Sequence, residues 1–211
     1  MNRFEYRMSV LRNNNINISN LLDIGAYRGD FTRMVKNIWP QVKVWQIEAD
    51  ERQMPYLQPD AINALLSSVS NKEVEFFTLG ENSITTGSSM YRELTGYYKN
   101  PIVVTKRTTT LDDLMKRVNF LGNWKNAGMV KMDTQGAELE ILRGGENFIK
   151  TFQPKYVVLE TSVKQYNAGA PLVGDIIEYM KEKGYTIQDI MSYVYDNTES
   201  LLQMDILFTR L

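Results

Sequence analysis

Neither cysteine nor histidine occurs anywhere in the 211 residues. Without cysteine there can be no disulfide, no thiolate nucleophile and no sulfur-ligated zinc. Without histidine the commonest general base and the commonest metal ligand are missing too. Acid–base chemistry must fall to Asp, Glu, Lys or Tyr, and any metal site must be built of oxygens, which favours Mg, Ca or Mn. An excess of charge is also lacking: 24 basic against 25 acidic residues leave a formal net charge of -1. No strong field therefore draws nucleic acid or anionic lipid. No apolar run reaches the roughly 18 residues a membrane span needs. The opening MNRFEYRMSV lacks the apolar centre of a signal peptide. A soluble, cytoplasmic protein with no nucleic-acid partner and no membrane insertion is the expectation.

What the chain does contain is an alternation of short apolar runs and amphipathic stretches. Residues Asn2 to Arg12 fit a helix with Phe4, Met8 and Leu11 on one face, and the polar NNNINIS reads as a loop. This places an N-terminal helix and loop at 1–19 and a single domain at 20–211. From Leu21 the segments LLDI, DFTRMVKNIW, VKVWQIE, DERQMPYL and AINALL alternate as βαβ units around a parallel sheet do. Pro40 stops the first long helix. In the middle, KEVEFFTL and PIVVTKRTT read as strands flanking GENSITTGSSMYRELTGYYKN, and a loop of that length in a compact domain is usually functional or mobile. Thr110 caps TLDDLMKRV, with Asp113 at the capping-box distance. Alternation resumes with GMVKMD, AELEILRGGENFIK, KYVVLE, PLVGDIIEYMKEKG, YTIQDI and MDILFTRL. MVKM and YVVLE look like strands covered on both faces, and Gly184 suits the left-handed close of a helix. The fold expected is α/β and doubly wound: a mostly parallel sheet ending in an antiparallel C-terminal edge hairpin.

Ligands of such sheets bind at the C-terminal strand ends, where the strand order switches. NLLDIGAYRG puts Asp23, Gly25 and Gly29 there. A dinucleotide turn wants G-x-G-x-x-G so that pyrophosphate can approach the backbone. Here the spacing is G-x-x-x-G, with Tyr27 at the place of the second glycine. S-adenosylmethionine has adenosine but no phosphate, and its ammonium and sulfonium favour nearby carboxylates. Asp23 suits the ammonium side, and Glu48, closing VWQIEAD about 20 residues on, suits the two ribose hydroxyls. Ala26, Tyr27, Ala49 and Leu65 complete the cofactor contacts expected at these strand ends.

LLDIGAYRGDFT resembles the first motif of the FkbM family of S-adenosylmethionine-dependent methyltransferases, and QIEAD its second. The likeness continues through NALLSS, GSSMYRE, TTLDDL, VKMDTQGAELEILRGGE and YVVLETS, ending near DILF. Asp133, Gly136 and Glu138 match the family's D-x-x-G-x-E, the most specific part. The family usually has asparagine where Tyr27 stands, which removes one polar contact expected at the methionine end; Arg28 beside it reads as solvated. The resemblance implies a Rossmann-like class I methyltransferase domain over 20–211 that methylates oxygen, often on sugars of glycans or natural products.

Asp133, at the end of KMD, is then the expected base or acceptor-orienting group beside the sulfonium, and it also touches the cofactor. Glu138 and Glu160 are further candidates for catalysis. Asp133 and Glu160 together could hold Mg by analogy with catechol-type O-methyltransferases; a metal-free site is preferred. Ser88, Ser89, Tyr91 and Arg92 are expected to meet a sugar or glycan acceptor, with Tyr97 and Tyr98 adding stacking surface. Cytosine C5 chemistry is excluded for want of cysteine, and D-T-Q-G stands where amide and amine methylation commonly use N-P-P-Y. Two rivals are a nicotinamide-dependent oxidoreductase, disfavoured by the missing third glycine, and a catalytically silent cofactor-binding module.

Overall fold

The computed structural model describes residues 1–80, 86–96, 98–117, 124 and 128–210. Helix α1 (Arg3–Asn13) begins at Asn2, whose side chain accepts the Glu5 N–H. Strand β1 (Asn20–Ile24), α2 (Asp30–Ile38) and β2 (Lys43–Glu48) follow. Next come β3 (Ile62–Asn63), β4 (Leu65–Leu66), β5 (Glu73–Thr78), β6 (Ile102–Thr109) and α3 (Leu111–Arg117). The remainder is β7 (Gly128–Met132), α4 (Glu138–Arg143), α5 (Glu146–Phe152), β8 (Tyr156–Ser162), α6 (Val173–Glu182), β9 (Tyr185–Tyr195) and β10 (Leu201–Arg210).

Seven strands form one sheet in the order β3-β2-β1-β7-β8-β10-β9. Only β10 runs against its neighbours, pairing antiparallel with both β8 and β9. The C-terminal hairpin thus occupies the edge, with its reversed strand one place in. Side chains alternate along the central strands, so both faces must be covered. Leu22, Ile24, Val130, Met132 and Leu159 pack with Leu139, Leu142, Phe148 and Met180 of the later helices. Leu21, Met129, Val158 and Leu207 pack on the other face with Met8, Leu11, Val35 and Trp39. Helix α1 is tied on by a Phe4–Phe31 edge contact at 5.6 Å and an Arg7–Asp189 ion pair.

Three segments depart from the sequence expectations for physical reasons. DERQMPYL forms only a short 3₁₀ turn (Glu51–Tyr56), because Pro55 has no N–H to continue a helix. AINALL divides at Ala64: β3 pairs with β2, whereas β4 leaves to join β6 in a second, three-stranded sheet with β5. AELEILRGGENFIK divides as well. A Cβ on Gly144 would lie 2.2 Å from the Ser67 carbonyl, so the chain can pass there only without a side chain. The Asp112 carboxylate accepts the Asn147 and Phe148 N–H groups at 3.1 and 2.8 Å and starts α5 afresh. The Thr110 cap holds, its hydroxyl accepting the Asp113 N–H at 3.1 Å; Val118, the last residue of that predicted helix, lies outside the described residues. Among the described residues no helix is long and apolar enough to cross a membrane.

Candidate active site

A cavity of about 920 Å³ opens over the C-terminal ends of β1, β2, β7 and β8, where the strand order turns back. Of the expected site residues, Gly25, Ala26, Tyr27, Glu48, Ala49, Leu65, Ser88, Ser89, Asp133 and Glu160 line it. The cavity wall also includes Asn2, Arg3, Phe4 and Glu5 of the N-terminal segment, and Gln203 and Asp205 of β10.

The glycine turn is shaped by its neighbours. Gly25 has φ +70°, and a Cβ there would lie 1.9 Å from the Asp133 carbonyl oxygen, so the ends of β1 and β7 close on each other only through a glycine. Gly29, at φ +76°, opens α2 and does not reach the cavity. Tyr27 also sits in the left-handed region, at φ +49°, and its N–H donates to Glu48 Oε2 at 2.7 Å. The other Glu48 oxygen accepts the Asp50 N–H at 2.8 Å. Burial pushes the Glu48 carboxyl up, and these two amide donors oppose the shift. Arg28 stacks over the Tyr27 and Tyr56 rings, outside the cavity wall.

Asp23 is placed behind the cavity rather than on its wall. It is fully buried, and its Oδ2 accepts the Thr32 hydroxyl at 2.7 Å, which in turn accepts the Gln46 amide at 3.0 Å. Its other oxygen lies 3.7 Å from Lys131 Nζ. Burial raises the Asp23 carboxyl, with Lys131 pulling the other way.

The end of β7 gathers the remaining carboxylates. Gln135, at φ +55°, donates from Nε2 to Asp133 Oδ1 at 2.9 Å and to Glu160 Oε2 at 2.6 Å, bridging the two. An amide thus sits between the pair considered for Mg. Among the described residues no group of three acids could hold a metal ion. Glu160 is raised well above the carboxylate range by burial, then by Asp133, Glu138 and Asp205. Asp205, paired with Ser192, is pushed up to about 6 by burial and by Asp133. Glu138 is placed inside the turn, not on the cavity wall. Its carboxylate accepts the N–H groups of Thr134 and Gly136 and the Thr134 hydroxyl, at 2.7, 3.0 and 3.0 Å, and burial pushes it up to about 7.

The expected acceptor residues separate. Ser88 pairs with the Thr78 hydroxyl at 2.7 Å on the cavity wall. Ser89 is a buried anchor, its hydroxyl donating to the Gln135 carbonyl at 2.9 Å and its backbone paired with Phe77. Tyr91 and Arg92 do not reach the cavity; their carbonyls accept from Asn167 and Ala168. Tyr98 is buried against Gly87 and offers no open stacking face, while Tyr97 lies outside the described residues.

Lys131 was missed by sequence reasoning. In GMVKMD it reads as one polar letter in an apolar strand. Its side chain is 9% exposed and reaches the cavity, 3.3 Å from Asp133 Oδ2 and 3.2 Å from the Gly25 carbonyl. Burial alone would lower the ammonium, but Asp133, Asp23 and Asp205 overcome it and hold Lys131 above the ordinary lysine range. A lone lysine in a strand covered on both faces was the available signal, since a buried charge needs partners.

Comparison with known proteins returns the same architecture. No relative of curated function matches the sequence. Fibrillarin of Aeropyrum pernix, solved with natively bound S-adenosyl-L-methionine, superposes with a TM-score of 0.50 at 10% identity, over 99% of this chain and 76% of that one. Magnesium protoporphyrin IX methyltransferase of Synechocystis PCC 6803, solved with the same cofactor, gives 0.47 at 9%, over 99% and 78%. The 1,6-didemethyltoxoflavin N1-methyltransferase of Burkholderia thailandensis, solved with S-adenosylhomocysteine and 1,6-didemethyltoxoflavin, gives 0.44 at 10%, over 99% and 78%. At these identities the likeness is one of fold. The sequence itself goes further: residues 23–187 match the model of the methyltransferase FkbM domain, so the chain belongs to the FkbM family of S-adenosylmethionine-dependent methyltransferases.

Proposed function

We propose that the protein transfers a methyl group from S-adenosylmethionine to a hydroxyl of a sugar or glycan. The observation that carries this is the Asp133–Gln135–Glu160 bridge on the cavity wall, at the strand ends facing the glycine turn. The cofactor supplies an activated methyl group on a sulfonium. Glu48, fixed by two backbone amides, keeps lone pairs free for a ribose diol, and Ala49 and Leu65 offer apolar wall beside it.

A hydroxyl acceptor must shed its proton as the new bond forms. Asp133 is placed to accept that proton, and Gln135 fixes its orientation from one side while Lys131 does so from the other. Glu160, whose carboxyl is raised by burial and by the neighbouring acids, faces the acceptor side with less negative charge than a free carboxylate would carry. Holding acceptor and methyl in line supplies the larger part of the acceleration. Ser88 adds a hydroxyl contact suited to a polyol.

The test is turnover: incubate the protein with S-adenosylmethionine and a panel of neutral glycosides, and follow S-adenosylhomocysteine and O-methyl sugar by mass spectrometry. Transfer to amines while every hydroxyl-only glycoside is refused would overturn the proposal.

A further inference from the structure

The cofactor's methionine end carries a carboxylate as well as an ammonium, and the cavity is poorly furnished for an anion. Its described wall holds eight acids (Glu5, Asp30, Glu48, Asp50, Glu93, Asp133, Glu160 and Asp205) and three cations. Two of those cations are committed at the rim. Arg33 donates to the Arg28 carbonyl and pairs with Asp30, its side chain 59% exposed. Arg3 lies over the Tyr193 ring and donates to the Ile190 carbonyl.

The glycine turn, the usual alternative source of donors, is spent on the protein itself. The Gly25 and Ala26 N–H groups both go to the Ile47 carbonyl, at 2.9 and 3.2 Å. Tyr27 N–H goes to Glu48, and Gly29 N–H to the Ala26 carbonyl at 2.8 Å. What is left is the buried ammonium of Lys131. It donates to the Gly25 carbonyl at 3.2 Å, and its ion pairs with Asp133 and Asp23 are long, at 3.3 and 3.7 Å, so a carboxylate entering the cavity can approach it more closely than either. Its nitrogen lies 5.5 Å from the centre of the Phe31 ring, in the first turn of α2. That end of α2 has no side-chain cap, and the helix dipole adds positive potential on the same side.

We propose that Lys131 binds the carboxylate of the cofactor's methionine moiety. Resting on the cofactor assignment above, this makes one lysine answerable for both cofactor affinity and the placing of the base.

Calorimetry on the intact protein tests it with three ligands. They are S-adenosylhomocysteine, its decarboxylated analogue and 5′-methylthioadenosine, which lacks the amino-acid end altogether. The wild type should prefer S-adenosylhomocysteine to the decarboxylated analogue by about 10- to 100-fold, the range of a charge-assisted hydrogen bond. Lys131→Met should bring that ratio close to one and leave 5′-methylthioadenosine binding within about threefold, well under the tenfold that 1.4 kcal/mol represents. Since Asp23 would be stranded in that variant, Asp23→Asn/Lys131→Met keeps the buried charges balanced and should give the same ratio. A preference for the carboxylate that survives in either variant overturns the proposal, as does an equal loss of all three ligands, which marks a purely structural lysine. A wild type that binds none of them overturns the cofactor assignment and this proposal together.

Discussion

The two halves of the cavity floor treat their acids in opposite ways. Beneath β1 and β2, Glu48 has an amide donor on each oxygen, and Asp23 leans on Thr32, Gln46 and Lys131. Beneath β7, β8 and β10, Asp133, Glu160 and Asp205 crowd one another around a single ammonium. Carboxylates held by fixed backbone dipoles make a rigid acceptor for hydroxyls. Glu160 and Asp205 are raised by burial and by the acids beside them, which suits that side to holding and passing a proton. One side is built to grip and the other to exchange protons.

Four measurements would break or sharpen that contrast. The largest effect belongs to the exchanging side: Asp133→Asn should lower turnover about 100- to 10,000-fold, the range of general-base catalysis, with S-adenosylhomocysteine affinity kept. Unchanged turnover removes Asp133 as the base. On the gripping side, Glu48→Gln should weaken S-adenosylhomocysteine and 5′-methylthioadenosine alike, by about 10- to 100-fold in calorimetry. A loss confined to S-adenosylhomocysteine would show that Glu48 does not serve the nucleoside.

A smaller effect should appear in stability against pH. Asp205 keeps its proton in the folded protein up to about pH 6, whereas an ordinary aspartate loses it near 3.8. The folded state therefore binds more protons between those limits, and stability present below pH 3.8 is lost as pH rises through 6. Asp205→Asn should shrink the drop in unfolding free energy between pH 4 and 7 by on the order of 1–2 kcal/mol, read by urea denaturation at each pH. An unaltered pH profile would mean that the crowding does not hold that proton. The smallest change expected is a rise of about two- to tenfold in acceptor KM for Ser88→Ala, the worth of one neutral hydrogen bond, with cofactor affinity unmoved. A fall in cofactor affinity instead would move Ser88 to the nucleoside side.

The gripping side was legible in the sequence because its residues are adjacent to turn signals. Gly25 and Glu48 each follow an apolar run and precede a break, so their strand-end positions could be read directly; Asp23, one residue inside β1, was read as a cofactor contact but is buried behind the cavity. The exchanging side was legible only in part. Asp133 directly follows β7 and Glu160 lies two residues before the end of β8, so both were visible for nearly the same reason. Gln135, Asp205 and Lys131 matter through neighbours 25, 72 and 108 positions away, counting to Glu160, Asp133 and Asp23, and no local pattern announces that. Ser89 shows the opposite failure: a hydroxyl in a polar loop invites a ligand, yet its bonds to Gln135 and Phe77 are internal. The N-terminal helix was set apart by the polar NNNINIS, although Phe4, Met8 and Leu11 complete a core face and Asn2 to Glu5 reach the cavity. Segment boundaries in a chain do not mark boundaries in a site.

At the hinge between the two halves, the absent side chain of Gly25 is filled by the backbone of Asp133. The nucleoside pocket and the proton acceptor are therefore geared together, like teeth with no slack. A substitution that shifts the turn by even half an ångström will mis-aim the acid, and Michaelis constant and maximal rate will move as a pair.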